Sequence, residues 1–530
     1  MPTSEPIESN HTPLGWCPKP LPAATRTGET AGSDSYEKRS AADEHRVNNR
    51  PATAELVSFP DQPTREALHQ VWRHALALAG PAVGLHGLNL LVSLTGRWLA
   101  GNAETATAAD QLALQGAQTT CFYLAWMIGS FGILASAGAT ALVSRLVGAE
   151  DWNGANRAMH QAVLVAAAVG AAAWLLGGFG IDALLWLLNL DGTASVYARQ
   201  FLRAMLLLLP FQLLTTTLNA SLAGAGDTRT PLKIAVLATV TNLPLAWIGF
   251  RGVAGWPGLG LAGIAWGAGL SQMIGTLVLV LLLSRGRSGL RLELPLLAPD
   301  HGLLARLLHI SLPAAAESLS MVAGQMVFLS VVNRLGDAAR GAHGIALGWE
   351  SVAEMFGLAF GVAASVLVGQ NLGAGRPDEA RRGGLIAYAC GASLMTIGGV
   401  VFFTFATPLF AFYCPKPEQA PVVAVGVPVL RLVAFAMPAL AACHVFSSGL
   451  RGAGDTRWPL VFTTVGFFTV RLPLTFLLCE SAVSLPWGGV LPGLGLGLYG
   501  CWLAMQADLW LRGALFLWRF TAGNWQQTRV

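Results

Sequence analysis

The chain has 530 residues, of which 53% are hydrophobic and only 12% charged, with a formal net charge of +4. Soluble domains carry roughly 25% charged residues, so this composition excludes a water-soluble enzyme. The small, dispersed excess of positive charge also excludes nucleic acid as a partner, since that needs a dense basic face.

Residues 1–66 hold ten acidic and seven basic side chains among Pro, Ser, Thr and Ala, with no apolar run long enough for a signal-peptide core. Such a stretch cannot bury enough surface to fold alone, and it is expected to be a disordered cytoplasmic tail. From about Val71 onward, apolar stretches of roughly 20 residues recur, the length a helix needs to cross the hydrocarbon. Twelve spans are expected, at 75–99, 119–146, 160–187, 201–223, 232–250, 259–284, 306–333, 342–371, 384–412, 421–449, 459–480 and 495–518. Gly and Pro recur inside them, which membrane helices tolerate where neighbouring helices satisfy the freed backbone groups. Seven cysteines (Cys17, Cys121, Cys390, Cys414, Cys443, Cys479, Cys501) are scattered singly, mostly in apolar runs where a thiol acts as a small hydrophobe. Neither a disulfide nor a metal site is expected.

Basic residues orient the chain. Loops after even-numbered spans carry Arg145, Arg157, Arg229, Lys233, Arg285, Arg287, Arg291, Arg306, Arg376, Arg381, Arg382, Arg451 and Arg457. The opposite loops carry only Arg97, Arg199, Arg203, Arg251, Arg334, Arg340 and Lys416. The bias puts the first set and both termini in the cytoplasm, as for a multi-pass protein of the cytoplasmic (inner) membrane.

The sequence also repeats. Gly224-Ala-Gly226-Asp227-Thr228-Arg229-Thr230-Pro231-Leu232 returns as Gly452-Ala-Gly454-Asp455-Thr456-Arg457-Trp458-Pro459-Leu460, each copy joining the fourth span of its half to the fifth. Gly148, Ala149, Ala155 and Arg157 are echoed by Gly373, Ala374, Ala380 and Arg382. Six spans per half is an even number, so the halves are parallel repeats about an axis along the membrane normal. The expected fold is an all-α membrane protein of two six-helix lobes around a central cavity. Its divisions are the tail at 1–66, an N-terminal lobe at 67–290, a cytoplasmic linker at 291–305, and a C-terminal lobe with a short cytoplasmic tail at 306–530. In the repeated loops the glycines permit a tight turn, Asp can cap the incoming helix, Pro suits its first turn and Arg reaches headgroups, which is a structural role.

These motifs and their order resemble the multidrug and toxic compound extrusion (MATE) family, in its DNA-damage-inducible branch, over roughly residues 72–525. The resemblance rests on the paired GAGDTR loops, on Leu312-Pro313 with Glu317, and on Ala342-His343-Gly344-Ile345-Ala346 followed by Glu350-Ser351. It extends through Val368-Gly369-Gln370-Asn371-Leu372-Gly373-Ala374-Gly375, Arg471-Leu472-Pro473, and Trp502, Arg512, Arg519, Gly523 and Trp525. The family implies an antiporter, acting without a cofactor, that exports organic cations while protons or sodium ions enter and the lobes rock. Relatives in this branch carry an Asp late in the first span and an Asn-x-x-x-Asp in the fifth. Here Ser93, and Asn242 followed by Ala246, stand at those places, so coupling is expected to depend on the second lobe.

An ionisable group near the midplane costs at least about 2.5–3.5 kcal/mol, so it persists where it faces a cavity or a partner. Glu317, one turn beyond Pro313 and roughly 15 Å into its span, is a candidate for cation coupling. So are Glu350 and Glu354, four apart on one helical face. Arg471, Asp508 and Arg512 are expected to form a charge network within one lobe, Arg512 as a structural partner of Asp508; Asp508 and Arg471 are further coupling candidates. His86 is read as a helix-packing residue ahead of a proton carrier. Asn219, Asn242 and Gln325 can line the cavity as polar contacts, and Met321, Met355, Phe356 and Trp349 as adaptable apolar surface for flat cations.

Gly258-x-Gly260-x-x-Gly263 and Gly495-x-Gly497-x-x-Gly500 satisfy a dinucleotide pattern formally, but each opens an apolar helix, so helix packing is the expectation. There is no HExxH, GxSxG or P-loop, which leaves an ion gradient as the energy source. The alternative is a flippase for lipid-linked precursors from the same superfamily, which would want a more basic cavity. The partners expected are small organic cations and the bilayer, with the protein acting as a monomer.

Overall fold

The computed structural model describes residues 65–101, 121, 124–182, 185, 192–253, 255–484 and 490–528. The expected tail lies almost wholly outside the described residues, as does the start of the second expected span. The first half forms α1 (Arg65–Gly101), α2 (Leu124–Gly148), α3 (Trp152–Phe179), α4 (Gly192–Gly224), α5 (Arg229–Arg251) and α6 (Leu261–Ser284). The second forms α7 (His301–Arg334), α8 (Asp337–Gly373), α9 (Pro377–Thr404), α10 (Ala420–Gly452), α11 (Arg457–Cys479) and α12 (Gly497–Ala522).

Eleven helices among the described residues are long and apolar enough to cross a membrane. The twelfth, α12, carries Asp508, Arg512 and Arg519, which lower its apolarity, yet its 26 residues extend about 39 Å and pack along α10 and α11. Three spans are interrupted among the described residues, the second by a turn at Phe131 and Gly132 before it resumes at Ile133. The ninth ends at Thr404 and resumes as a short helix, Ala406–Tyr413, because the ring of Pro408 conflicts with the carbonyl four residues back, at Thr404. The eleventh widens into a π turn at Gly466–Arg471 just before Pro473, a bulge of the kind often found at functional sites.

Packing repeats as the sequence does. Within lobe 1, α1 packs on α5, α2 and α3 on α4, and α6 on α4 and α5. Within lobe 2, α7 packs on α11, α8 and α9 on α10, and α12 on α10 and α11, contact for contact the same pattern. A short hairpin follows α5 (Gly252–Val253 with Trp256–Pro257), and another follows α11 (Ala482–Ser484 with Val490–Pro492). The glycines of the two GxGxxG stretches sit where these hairpins re-enter helices. Gly260 and Gly497 have positive φ, and a Cβ on Gly263 or Gly500 would strike the backbone of Gly249 or Leu478. That is close packing after short antiparallel hairpins, and among the described residues there is no parallel βαβ unit to hold a nucleotide.

The lobes meet through α1 on α8, α2 on α7 and α8, and smaller contacts of α3 with α7, α2 with α10, α1 with α9 and α4 with α8. The first half of α1 therefore packs into lobe 2: Ala75, Leu78 and Ala79 are buried with Phe360, Ala363, Ala364 and Leu367 of α8. The three hydrogen bonds joining α1–α6 to α7–α12 among the described residues all lie in the half that ends in the repeated loops. They run from Gly138 N to Ser311 Oγ (3.0 Å), from Arg145 Nη1 to the Ala453 carbonyl (3.3 Å) and from Gln370 Nε2 to the Gly224 carbonyl (3.0 Å). At that end a Cβ on Gly148, Gly369 or Gly373 would collide with Gln370, Ser144 or Arg145 across the interface. The two lobes are thus sealed backbone to backbone at one end.

The connection between lobes is pinned to α3. Asn156 Oδ1 accepts from Arg291 N (2.8 Å), His160 Nε2 from Glu293 N (2.9 Å) and Gln161 Oε1 from Asp300 N (3.0 Å). Asp300 then caps α7, accepting from the amides of Gly302 and Leu303, so the helix begins inside the stretch expected to be linker.

Candidate functional site

The π turn of α11 turns Arg471 inward, and there it meets Asp508 of α12. Asp508 is fully buried; Oδ2 accepts from Arg471 Nε (2.8 Å) and Arg512 Nη2 (2.8 Å), and Oδ1 from Arg512 Nε (2.7 Å). Arg471 Nη2 lies 2.7 Å from the same Oδ2. Both guanidinium carbons lie over the Phe467 ring, 4.0 Å (Arg471) and 4.9 Å (Arg512) from its centroid, and Gly466 leaves the space they need. Arg471 Nη1 also donates to Gln325 Oε1 of α7 (3.3 Å), which brings Gln325 into the same group.

Two arginines on one aspartate leave a positive charge over. The acid that faces it is Glu350 of α8, 8% exposed, within electrostatic reach of Arg471 and of Glu354 one turn further on. Among the described residues the Glu350 carboxyl accepts no hydrogen bond, while Glu354 Oε1 lies 3.2 Å from His444 Nε2 of α10. Glu317 forms a separate group. Its Oε1 accepts from Thr463 Oγ1 (3.1 Å) and its Oε2 from Arg451 Nη1 (3.5 Å), with Arg451 also donating to Ser447 Oγ (3.0 Å). Arg451 occupies the last turn of α10, and Thr463 is about 9 Å along α11. Glu317 therefore sits nearer the sealed end than its place in the sequence suggests.

The remaining candidates are dispersed. Met321 is half-buried one turn beyond Glu317. Trp349 packs against Phe402 and Tyr413 (centroids 6.5 and 5.8 Å), in the aromatic core of lobe 2 and apart from the acids. Asn219, whose Oδ1 is buried without a hydrogen-bond partner among the described residues, and the buried Asn242 belong to lobe 1. An apolar groove of about 780 Å³ beside Leu335, Phe403, Arg431 and Tyr499 contains none of the candidate residues.

The repeated loops are braced, each in its own way. Gly226 and Gly454 take positive φ, at 91° and 84°. Asp227 Oδ1 caps α5 through Arg229 N (3.1 Å) and Thr230 N (2.9 Å), and its Oδ2 accepts from Thr230 Oγ1 and Ser288 Oγ (2.6 Å each). Burial pushes the Asp227 carboxyl up, but the Ser288 and Thr230 hydrogen bonds and the nearby Arg287 charge outweigh it and hold its pKa below the ordinary value. Asp455 is held instead by Arg519, at 3.0 and 2.8 Å, whose guanidinium stacks on Trp458. Arg229 is exposed, whereas Arg457 reaches His309 Nε2 (3.0 Å).

Sequence reasoning missed Arg451 and Thr463 as partners of Glu317, and His444 as partner of Glu354. Arg451 was legible only as a loop cation. His444, an ionisable group in the middle of an apolar run, could have been singled out on the same ground as the acids.

The MatE family pattern matches residues 111–248 and 313–477, more than half of the chain. A probable multidrug resistance protein NorM of Thermotoga maritima is 25% identical over 484 residues, covering 89% of this chain and 97% of its own length. The multidrug resistance protein MdtK of Pectobacterium atrosepticum is 27% identical over 404 residues, covering 74% and 86%. A solved structure described as the outward-facing conformation of a multidrug resistance MATE family transporter of the MOP superfamily has the same fold. Its TM-score is 0.76 at 18% identity, over 89% of this chain and 99% of that one.

Proposed function

The chain belongs to the MATE family of membrane transporters, which are not enzymes, and we propose that it is a secondary active antiporter. It exports organic cations, drugs or metabolites in exchange for protons or sodium ions by alternating access of its two lobes, as a monomer without a cofactor. The observation that carries this is Glu350: a largely buried acid whose carboxyl accepts no hydrogen bond among the described residues, facing a charge network with one cation in excess. An ionisable group inside the membrane-spanning part is costly and marks a place where an ion or cargo can bind. Orientation follows from the basic loops, with both termini in the cytoplasm of the inner membrane, so the sealed end is the cytoplasmic one and the structure faces outward.

The curated relatives named as multidrug-resistance proteins support drug efflux as the class of transport and do not favour the flippase alternative. Asp508, saturated by two arginines, anchors Arg471, which tunes Glu350. Glu317 with Arg451 provides a second exchangeable acid close to the cytoplasm. In proteoliposomes, the protein is expected to move a fluorescent organic cation against its gradient when a proton or sodium gradient is imposed; exchanging the imposed ion identifies the coupling ion. Glu317→Gln should reduce transport without preventing insertion, and Glu350→Gln should change the pH profile. Equal transport by both variants under every gradient, with unchanged pH midpoints, would remove these acids from coupling. Movement of a labelled lipid-linked sugar in place of the cation would replace the antiporter with a flippase.

A further inference from the structure

One ionisable cluster draws side chains from both lobes. His444 Nε2 of α10 stands 3.2 Å from Glu354 Oε1 of α8, and His86 of α1 lies within electrostatic reach of both. All three are partly buried as residues, while His444 Nε2 itself is buried. The cluster sits where the packed α1–α8 surface gives out. On one side of it are the buried Ala75, Leu78 and Ala79 against Phe360 and Ala363; beside it Gly87 faces Met355; beyond it Leu91 and Leu94 of α1 are each 45% exposed. The groups facing it are Glu350 on α8 and, behind that, Arg471 on α11; α9 presents Met395 against the same turn of α8 and α10.

The geometry points to His86, Glu354 and His444 as a proton site shared between the lobes, in which the Glu354 carboxylate is contested by imidazolium on one hand and cationic cargo on the other. The inference rests on the antiporter reading and selects the proton over sodium. An imidazole changes its charge between about pH 5 and 8, whereas hard cations gather several oxygen ligands, and here Glu354 Oε1 already faces His444 Nε2, with Glu350 one turn away as the next carboxylate. In the outward-facing arrangement a proton from outside binds an imidazole nitrogen, and the new charge beside Glu354 displaces the cargo cation outward. When the lobes rock, His86 leaves with the later part of α1, which packs on lobe 1 through Gly84 against Leu232 and Gly96 against Ile264, while the rest of the cluster belongs to lobe 2. Separated from Glu354, its imidazolium loses the counter-charge that held the proton and passes it to water on the cytoplasmic side. The exposed carboxylate then takes the next cation. One proton enters and one leaves per cycle: outside, an O–H of hydronium breaks as the N–H forms, and inside, the N–H breaks as water takes the proton.

The test uses the full chain in proteoliposomes with ethidium as probe, comparing wild type, His86→Gln and His444→Gln. Two rates are read: accumulation driven by a pH gradient, and ethidium-for-ethidium exchange without a gradient. Both variants are expected to lose driven accumulation by about tenfold or more and keep exchange within about twofold, since only the proton step is removed. Glu354→Gln is expected to lose both. Wild-type drive in either histidine variant, loss of exchange in parallel with drive, or drive by sodium alone would overturn the shared proton site while leaving the antiporter intact. Failure of the wild type to move ethidium under any gradient would instead overturn the antiporter reading and this inference with it.

Discussion

Asp508→Asn preserves the shape of the side chain and removes its charge from a site where, among the described residues, that charge is the only anion bonded to two buried guanidinium groups. Arg471 and Arg512 are 3% and 5% exposed, so neither can recover its solvation in place. Breaking one buried ion pair costs about 3–5 kcal/mol, because a charge is left uncompensated. Here two cations lose their partner together, so the upper end, about 5 kcal/mol, is expected. At roughly 1.4 kcal/mol per tenfold, that lowers the folded-to-unfolded ratio more than a thousandfold. The measurement is thermal unfolding in detergent, with monodispersity by size exclusion, against Arg512→Met as comparison. That variant leaves Arg471 and Asp508 as a matched pair and should lose less, about 1.5–3 kcal/mol, the worth of hydrogen bonds to a charged group. If Asp508→Asn were as stable as wild type, or Arg512→Met the more damaged of the two, the charge count on which this rests would be wrong.

Asp227→Ala should cost about 1–2 kcal/mol through the lost cap of α5. Because the folded pKa of Asp227 is depressed, its contribution is present above the unfolded value near 3.9 and lost as pH falls through the lower folded value. The deficit should be flat from pH 8 to 5 and shrink below about pH 4, as melting curves across pH would reveal. Arg519→Lys keeps the charge but not the two-pronged contact with Asp455 or the stacking on Trp458, so it should destabilise nearly as much as Arg519→Leu; full rescue by Lys would reduce the bracket to charge alone. Gly373→Val places side-chain atoms against the Arg145 carbonyl and should hold the sealed end open. Spin labels at the exposed Arg157 and Arg381, one on each lobe, should then report a longer distance; an unchanged distribution would show that the seal tolerates a side chain.

The sequence by itself determined the membrane class, the twofold repeat and which ionisable groups are stranded in apolar surroundings. These are properties of composition and of spacing along one chain. The paired GAGDTR loops announced two equivalent turns, and both form with a positive-φ glycine and a bonded aspartate; the second GxGxxG pattern was legible as packing because it opens an apolar helix, as Gly500 against Leu478 does. The partners were not legible. Glu317 meets Arg451 at a separation of 134 residues, and nothing local distinguishes Arg451 from a cation that points at headgroups. His86 belongs to the first half of the chain by order and to the Glu354 cluster by place, since α1 packs across the lobe boundary. Hydrophobic periodicity reports the faces of a helix relative to itself. Which neighbour each face meets, and at what depth, depends on where small residues such as Gly148, Gly369 and Gly373 let two backbones close, and only the assembled helices decide that.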